Sequence, residues 1–156
     1  MAKRAGVGKP TVYRRHDSRA SLVARALLEI LEELNPAAPD TGDVIAHITD
    51  LLSRLAVALT STAFGPAVIE IVSPAAHETH LAELFDTAIK QRRELIKMVM
   101  VRAEGEGRLV ATDVETAIDM ALGAVYFRHL FTHGPIDGNF IATIVAALIQ
   151  SRSASN

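Results

Sequence analysis

Apolar residues recur at helical spacing along most of this chain of 156 residues, and the interruptions between them mark where each helix stops. Leu22, Val23, Ala26, Leu27, Ile30, Leu31 and Leu34 form one stripe, from Arg19 to Asn35, behind an Asp17-Ser18 cap. Pro36-Ala37-Ala38-Pro39-Asp40-Thr41-Gly42 then breaks the pattern and marks a candidate domain boundary. Beyond it, Val44, Ile45, Ile48, Leu51, Leu52, Leu55 and Leu59 predict a helix from about Asp43 to Thr62. Gly65-Pro66 restarts the chain into a short apolar helix, Ala67 to Val72, ended by Ser73-Pro74. A long helix follows from about Glu78 to Glu104, carrying Leu81, Leu84, Phe85, Ile89, Leu95, Ile96, Val99 and Met100, and Gly105-Glu106-Gly107 stops it. Thr112 or Asp113 caps the next helix, which runs to about Thr132, and Gly134-Pro135 separates it from a last helix over Asp137 to Gln150. Residues 151–156 read as a frayed tail. There is no internal repeat and no convincing strand, so the expected fold class is all-α, with a head over residues 1–35 and a body over residues 40–150.

Composition agrees with helix-on-helix packing. The chain is 49% hydrophobic but only 4% aromatic, with no Trp, so Leu, Ala, Ile and Val fill the core. No run approaches ~18 consecutive apolar residues, so no membrane span is expected, and the start of the chain lacks the apolar core of a secretory signal. The absence of Cys excludes disulfides, thiolate nucleophiles and Cys-based zinc sites, and it fits a cytoplasmic location.

Charge separates the head from the body. Residues 1–25 hold seven basic side chains against Asp17 alone, a net of +6, whereas residues 26–156 hold nine basic and seventeen acidic ones, a net of −8. A basic head on an acidic body is the pattern of a phosphate-facing surface joined to a part that need not touch nucleic acid. Within the head, residues 2–5 read as the last turn of one helix, and Gly6 and Gly8 permit a tight turn into a second over residues 9–15, with Pro10 in its first turn. Val7 and Val12 can pin the two helices together, and Lys9, Thr11, Tyr13, Arg14 and Arg15 offer donors to phosphates or base edges. This is the arrangement of the second half of a helix-turn-helix.

Ala5, Gly6, Val7, Gly8, Lys9, Thr11 and Tyr13, followed by Ser18-Arg19, closely resemble the heads of the TetR/AcrR family of bacterial regulators. Asp113 to Met120, Leu122 to Phe131 and Gly134-Pro135-Ile136 resemble one subgroup of the family's C-terminal domains. The resemblance implies that Lys9, Pro10, Thr11, Tyr13 and Arg14 lie on the recognition helix, beside Arg15, and that Arg19 holds phosphate. It implies a homodimer on double-stranded operator DNA, with a small-molecule effector bound in the body, and hence a ligand-responsive repressor. Family heads begin with a further long helix that is not found ahead of this motif, so Val7, Val12 and Leu22 are expected to lack part of their cover, at about 1.5–3 kcal/mol for each side chain left unburied. The alternative function is therefore a head-truncated dimeric ligand-binding or interaction protein without specific DNA binding.

Gly123-Ala124 permits close approach of another helix. With Phe127, Leu130, Ile141, Ile144, Val145 and Leu148 it forms the expected dimer seam, the other reading being closure of the chain's own core. Candidate effector contacts are Leu55, Leu59, Phe64, Phe85, Tyr126 and Arg128. Ile69, Ile89 and Phe127 are further apolar candidates, and His47 and Arg54 further polar ones. His77-Glu78-Thr79-His80 and the His129/His133 pair read as polar helix ends rather than metal ligands. No Ser/His/Asp set, phosphate loop or paired carboxylate stands out, so neither an enzymatic activity nor a cofactor is expected.

Overall fold

A computed structural model describes residues 42–151, apart from residues 76, 78 and 112. The expected head helices and the tail beyond residue 151 lie outside the described residues. Among those described are five α-helices: α1 (Val44–Ser61), α2 (Phe64–Ala75), α3 (Thr79–Gly105), α4 (Val114–Phe127) and α5 (Gly138–Leu148). A π-helical turn, Arg128–Thr132, extends α4.

Aspartates start three of these helices. Asp43 is extended, and its carboxylate accepts the amide of Ile45 at 2.9 Å. Asp113 accepts both the amide and the hydroxyl of Thr116 at 2.8 Å, and Asp137 accepts the amide of Phe140 at 2.9 Å. Each carboxylate satisfies an amide that the helix geometry leaves without an internal partner. Asp113→Ala is expected to cost about 1 kcal/mol, seen as a lower urea midpoint with an unchanged slope.

α1 is the centre of the body and packs against all four other helices. Val44, Ile48, Leu51, Leu52, Leu55 and Leu59 are buried along it, as their spacing predicts. By length and composition α1 could cross a membrane. Here its apolar stripe is taken up by the core, and its surface carries the Asp50–Arg54 ion pair at 2.7 Å. At its end the Thr62 hydroxyl donates to the Ala58 carbonyl (2.7 Å) and accepts from the Phe64 amide (3.1 Å), clipping α1 to α2.

Four features depart from the sequence expectation. α2 begins before Ala67 and continues past Ser73-Pro74 to Ala75. Pro66 stands in its first turn, where no intrahelical N–H is needed, and a proline in the final turn removes one bond without breaking the turns before it. α3 ends as expected at its glycines: Gly107 takes φ +66°, the Arg108 amide bonds to the Ala103 carbonyl, and the Gly107 amide bonds to that of Glu104, both at 2.8 Å. The second departure follows, an isolated antiparallel bridge between Leu109 and Ile149, with Val110 donating to Leu148 and Gln150 donating to Arg108 at 2.8 Å. The third is its consequence: α5 stops at Leu148 instead of Gln150, because Ile149 turns extended to make that bridge. Fourth, the helix after Asp113 widens into the π-helical turn at Arg128 and ends at His133, which adopts the left-handed φ of 52°.

Candidate functional site

The helical period places position 92 of α3 among inward-facing residues, with Ala88 one turn before it and Ile96 one turn after, both buried. Arg92 follows them inside and is 2% exposed. None of its three guanidinium nitrogens has a hydrogen-bond partner. Burial lowers its pKa from the ordinary arginine range, because removing water disfavours the charged form. Tyr126, on α4, lies close enough for the two to interact electrostatically: burial raises its phenol pKa, and the Arg92 charge opposes the rise. A half-buried phenol beside an unpaired buried cation is the most chemically unusual place among the described residues.

The next residue on α3 has the opposite fate. Arg93 faces outward and pairs with Asp119 and, at 2.6 Å, with Glu115, which also meets Lys97 at 2.9 Å. These contacts tie α3 to α4 and hold the Glu115 carboxyl below its ordinary range, the Lys97 bond being the largest cause and the Arg93 bond the next. A carboxyl depressed on folding adds stability above its unfolded pKa of about 4.3, and that contribution is lost as pH falls through the lower folded value. Glu115→Gln is accordingly expected to be less stable than the parent at neutral pH, with the gap closing in acid. Urea unfolding at several pH values measures it, and a gap that persists below pH ~3 contradicts the assignment.

A groove of about 360 Å³ opens near the junction of α1, α2 and the π-helical turn, lined by Leu59, Thr60, Thr62, Pro66, Ile69, His129, His133, Gly134 and Ile136. The wider backbone of the turn sets both imidazoles along it. Nε2 of His129 lies 3.3 Å from the Gly65 carbonyl, and Nδ1 of His133 lies 3.0 Å from the His129 carbonyl. Gly65 permits this close approach. A Cβ there would stand 2.0 Å from the Leu59 carbonyl oxygen and 2.9 Å from Cε1 of His129.

The expected effector contacts divide between several places. Leu55, Leu59 and Phe64 are buried in the core, and Leu59 also lines the groove together with Ile69. Phe85 and Tyr126 are half-buried against the core. Arg128 is turned elsewhere: its NH1 donates to the Pro135 carbonyl at 3.1 Å and its guanidinium lies 3.5 Å from the centroid of the Phe140 ring. Arg54 is held by Asp50. Sequence reasoning passed over Arg92 because a charged residue reads as solvated. Its spacing from Ala88 and Ile96, on the inward stripe, was the signal that could have found it.

The expected dimer seam also divides. Ile141, Ile144, Val145 and Leu148 turn inward and close the chain's own core, so on this fold they are not available to a partner. Ala124 and Leu130 are half-buried. Gly123 and Phe127 do face out, joined on the outer side by Met120 and Phe131. Phe127 and Phe131 are 58% and 69% exposed, with ring centroids 5.2 Å apart. On α5 the outward positions are small: Ala142, Thr143, Ala146 and Ala147. The exposed side of α4 and α5 thus joins large apolar side chains to a small-residue surface. Lys9, Pro10, Thr11, Tyr13, Arg14, Arg15 and Arg19 lie outside the described residues.

Three similarities to known proteins accompany this geometry. A family model described as Tetracyclin repressor-like, C-terminal domain, matches residues 38–148. The chain is 28% identical over 158 aligned positions to the uncharacterized HTH-type transcriptional regulator YdeS of Bacillus subtilis (strain 168), an alignment covering 100% of this chain and 79% of that protein. It also superposes on the crystal structure of the TetR family transcription regulator SCO0332 with a TM-score of 0.72 and 30% identity, over 91% of this chain and 79% of that one.

Proposed function

Since the chain belongs to the TetR family of transcription regulators, we propose that it is a ligand-responsive repressor that binds a palindromic operator as a homodimer in the cytoplasm. The observation that carries this reading is a basic helix-turn-helix sequence, Lys9 to Tyr13 within a +6 head, ahead of a family-matched helical body. Lys9, Pro10, Thr11, Tyr13 and Arg14 enter the major groove, while Arg15 and Arg19 hold phosphates and set register. Two such heads reach successive major grooves, about 34–36 Å apart on one face of the duplex.

The exposed side of α4 and α5 supports the dimer contact. Phe127, Phe131 and Met120 of each chain lie against the small residues of the other, placing four helices at the two-fold axis. The effector binds in the body and favours a dimer geometry in which the spacing of the heads no longer fits the operator. That is a linkage between two states: the effector weakens DNA binding by the factor by which DNA weakens effector binding.

A gel shift with the intergenic DNA upstream of the protein's own gene tests the reading. The expected result is a discrete complex displaced by the same fragment and not by unrelated DNA. If the complete protein shifts no fragment there specifically, the repressor reading fails.

A further inference from the structure

Among the described residues, four polar side chains line the groove beside α1, α2 and the π-helical turn: Thr60, Thr62, His129 and His133. Each gives a hydrogen to a backbone carbonyl. The Thr60 hydroxyl donates to Ala56 at 2.8 Å, and the Thr62 hydroxyl donates to Ala58 at 2.7 Å. The imidazoles face carbonyls as well, Nε2 of His129 that of Gly65 and Nδ1 of His133 that of His129. A carbonyl only accepts, so each of these ring nitrogens carries a proton, and in a neutral imidazole the other nitrogen then holds a lone pair. The hydroxyls each receive one bond, from the Ser61 hydroxyl at 3.3 Å and from the Phe64 amide at 3.1 Å, and each keeps a lone pair. These four side chains therefore offer acceptors and no donor, among apolar walls from Leu59, Pro66, Ile69 and Ile136.

We propose that this groove is the effector site, and that its effector is a small apolar primary amine bound as the ammonium ion; the effector role rests on the ligand-responsive reading above. An ammonium group has three donors and no acceptor, the complement of side chains that only accept. A carboxylate would set lone pairs against lone pairs. An alcohol supplies one donor in place of three, without the charge that strengthens a hydrogen bond. Long-range charge favours the same choice, since residues 26–156 hold nine basic side chains against seventeen acidic ones. Arg128 passes the rim, its Cδ 3.5 Å from where a Cβ on Gly134 would stand, but its guanidinium is turned onto the Phe140 ring. The groove's volume of about 360 Å³ lies near the small end of ligand sites, roughly 300–1,000 Å³, so the amine is of modest size.

Calorimetric titration of the full chain without DNA tests the proposal, so that a failure to bind an operator does not obscure the outcome. The probes are hexylamine, benzylamine and phenethylamine at neutral pH, each paired with the alcohol and the carboxylate of matching skeleton, together with Zn²⁺ alone. At least one amine is expected to bind saturably, with its alcohol at least about tenfold weaker and its carboxylate weaker still. Thr60→Val puts a methyl group of the same shape in place of an acceptor. His133→Asn removes a ring acceptor with a residue that tolerates the left-handed backbone at φ 52°. Each is expected to weaken the amine by roughly 10–100-fold. The proposal is overturned if no amine binds, if alcohols or acids bind as tightly, if Zn²⁺ is the only probe that binds, or if both variants leave affinity unchanged. The amine-against-alcohol comparison on the parent protein stands even if a variant fails to fold. An amine that binds in the groove yet leaves operator affinity unchanged overturns the effector role and the reading beneath it, not the site.

Discussion

Replacing Phe127 and Phe131 together with glutamate is expected to yield a folded monomer that no longer grips its operator. Both rings project outward, at 58% and 69% exposure, and they touch each other, so their loss removes little from the chain's own core. In a two-fold contact each substitution acts twice. Burying one such ring is worth about 1.5–3 kcal/mol, so removing four and placing four carboxylates in the seam exceeds what an ordinary dimer contact can absorb. DNA binding then loses the second head, whose tethering contributes roughly 10²–10⁴ in avidity. Sedimentation gives the mass, far-ultraviolet circular dichroism the fold, and anisotropy with labelled DNA the affinity. A double variant that remains dimeric places the interface on another face.

Gly65→Ala is the second large effect, and it acts on the fold itself. A methyl group there would lie 2.0 Å from the Leu59 carbonyl oxygen and 2.9 Å from the Leu59 carbonyl carbon. Both are backbone atoms at the end of α1, held by the turn that Thr62 clips to α2, so neither can rotate aside as a flexible side chain would. His129 closes the other side. Relief requires parting α1 from α2, which would unseat Leu59 and Phe64 from the core. Overpacking ordinarily costs about 1–3 kcal/mol, and a clash with fixed backbone belongs at the upper end of that range or above it. Thermal unfolding of Gly65→Ala beside the parent reads the effect directly. A melting temperature within a degree or so of the parent would show that the junction yields more easily than the structure implies.

The sequence made the architecture legible wherever one face of a helix was apolar and its start was capped. Asp43, Asp113 and Asp137 mark the beginnings of α1, α4 and α5 within a residue, and the α1 stripe from Val44 to Leu59 is the stripe the core uses. Prolines interrupt this chain less than their presence suggests: α2 accommodates Pro66 in its first turn and extends beyond Pro74. The bridge from Leu109 to Ile149 was not legible because one pair of residues leaves no alternating pattern. α5 was ambiguous for a physical reason. Its large residues, Ile141, Ile144, Val145 and Leu148, could have met either a partner or the chain itself, and the chain's own core takes them. What remains for a partner is the alanine-rich side, which hydrophobicity alone does not single out. Arg92 escaped for the opposite reason, because its charge masked a position that the helical period assigns to the interior.

A titration of labelled palindromic operator with the complete protein, read at once for affinity, stoichiometry and competition by unrelated DNA, tests the central claim most directly. The account predicts two chains per operator, with specific binding about 10³-fold or more tighter than binding to unrelated sequence. A single chain per site, or equal affinity for operator and unrelated DNA, contradicts it.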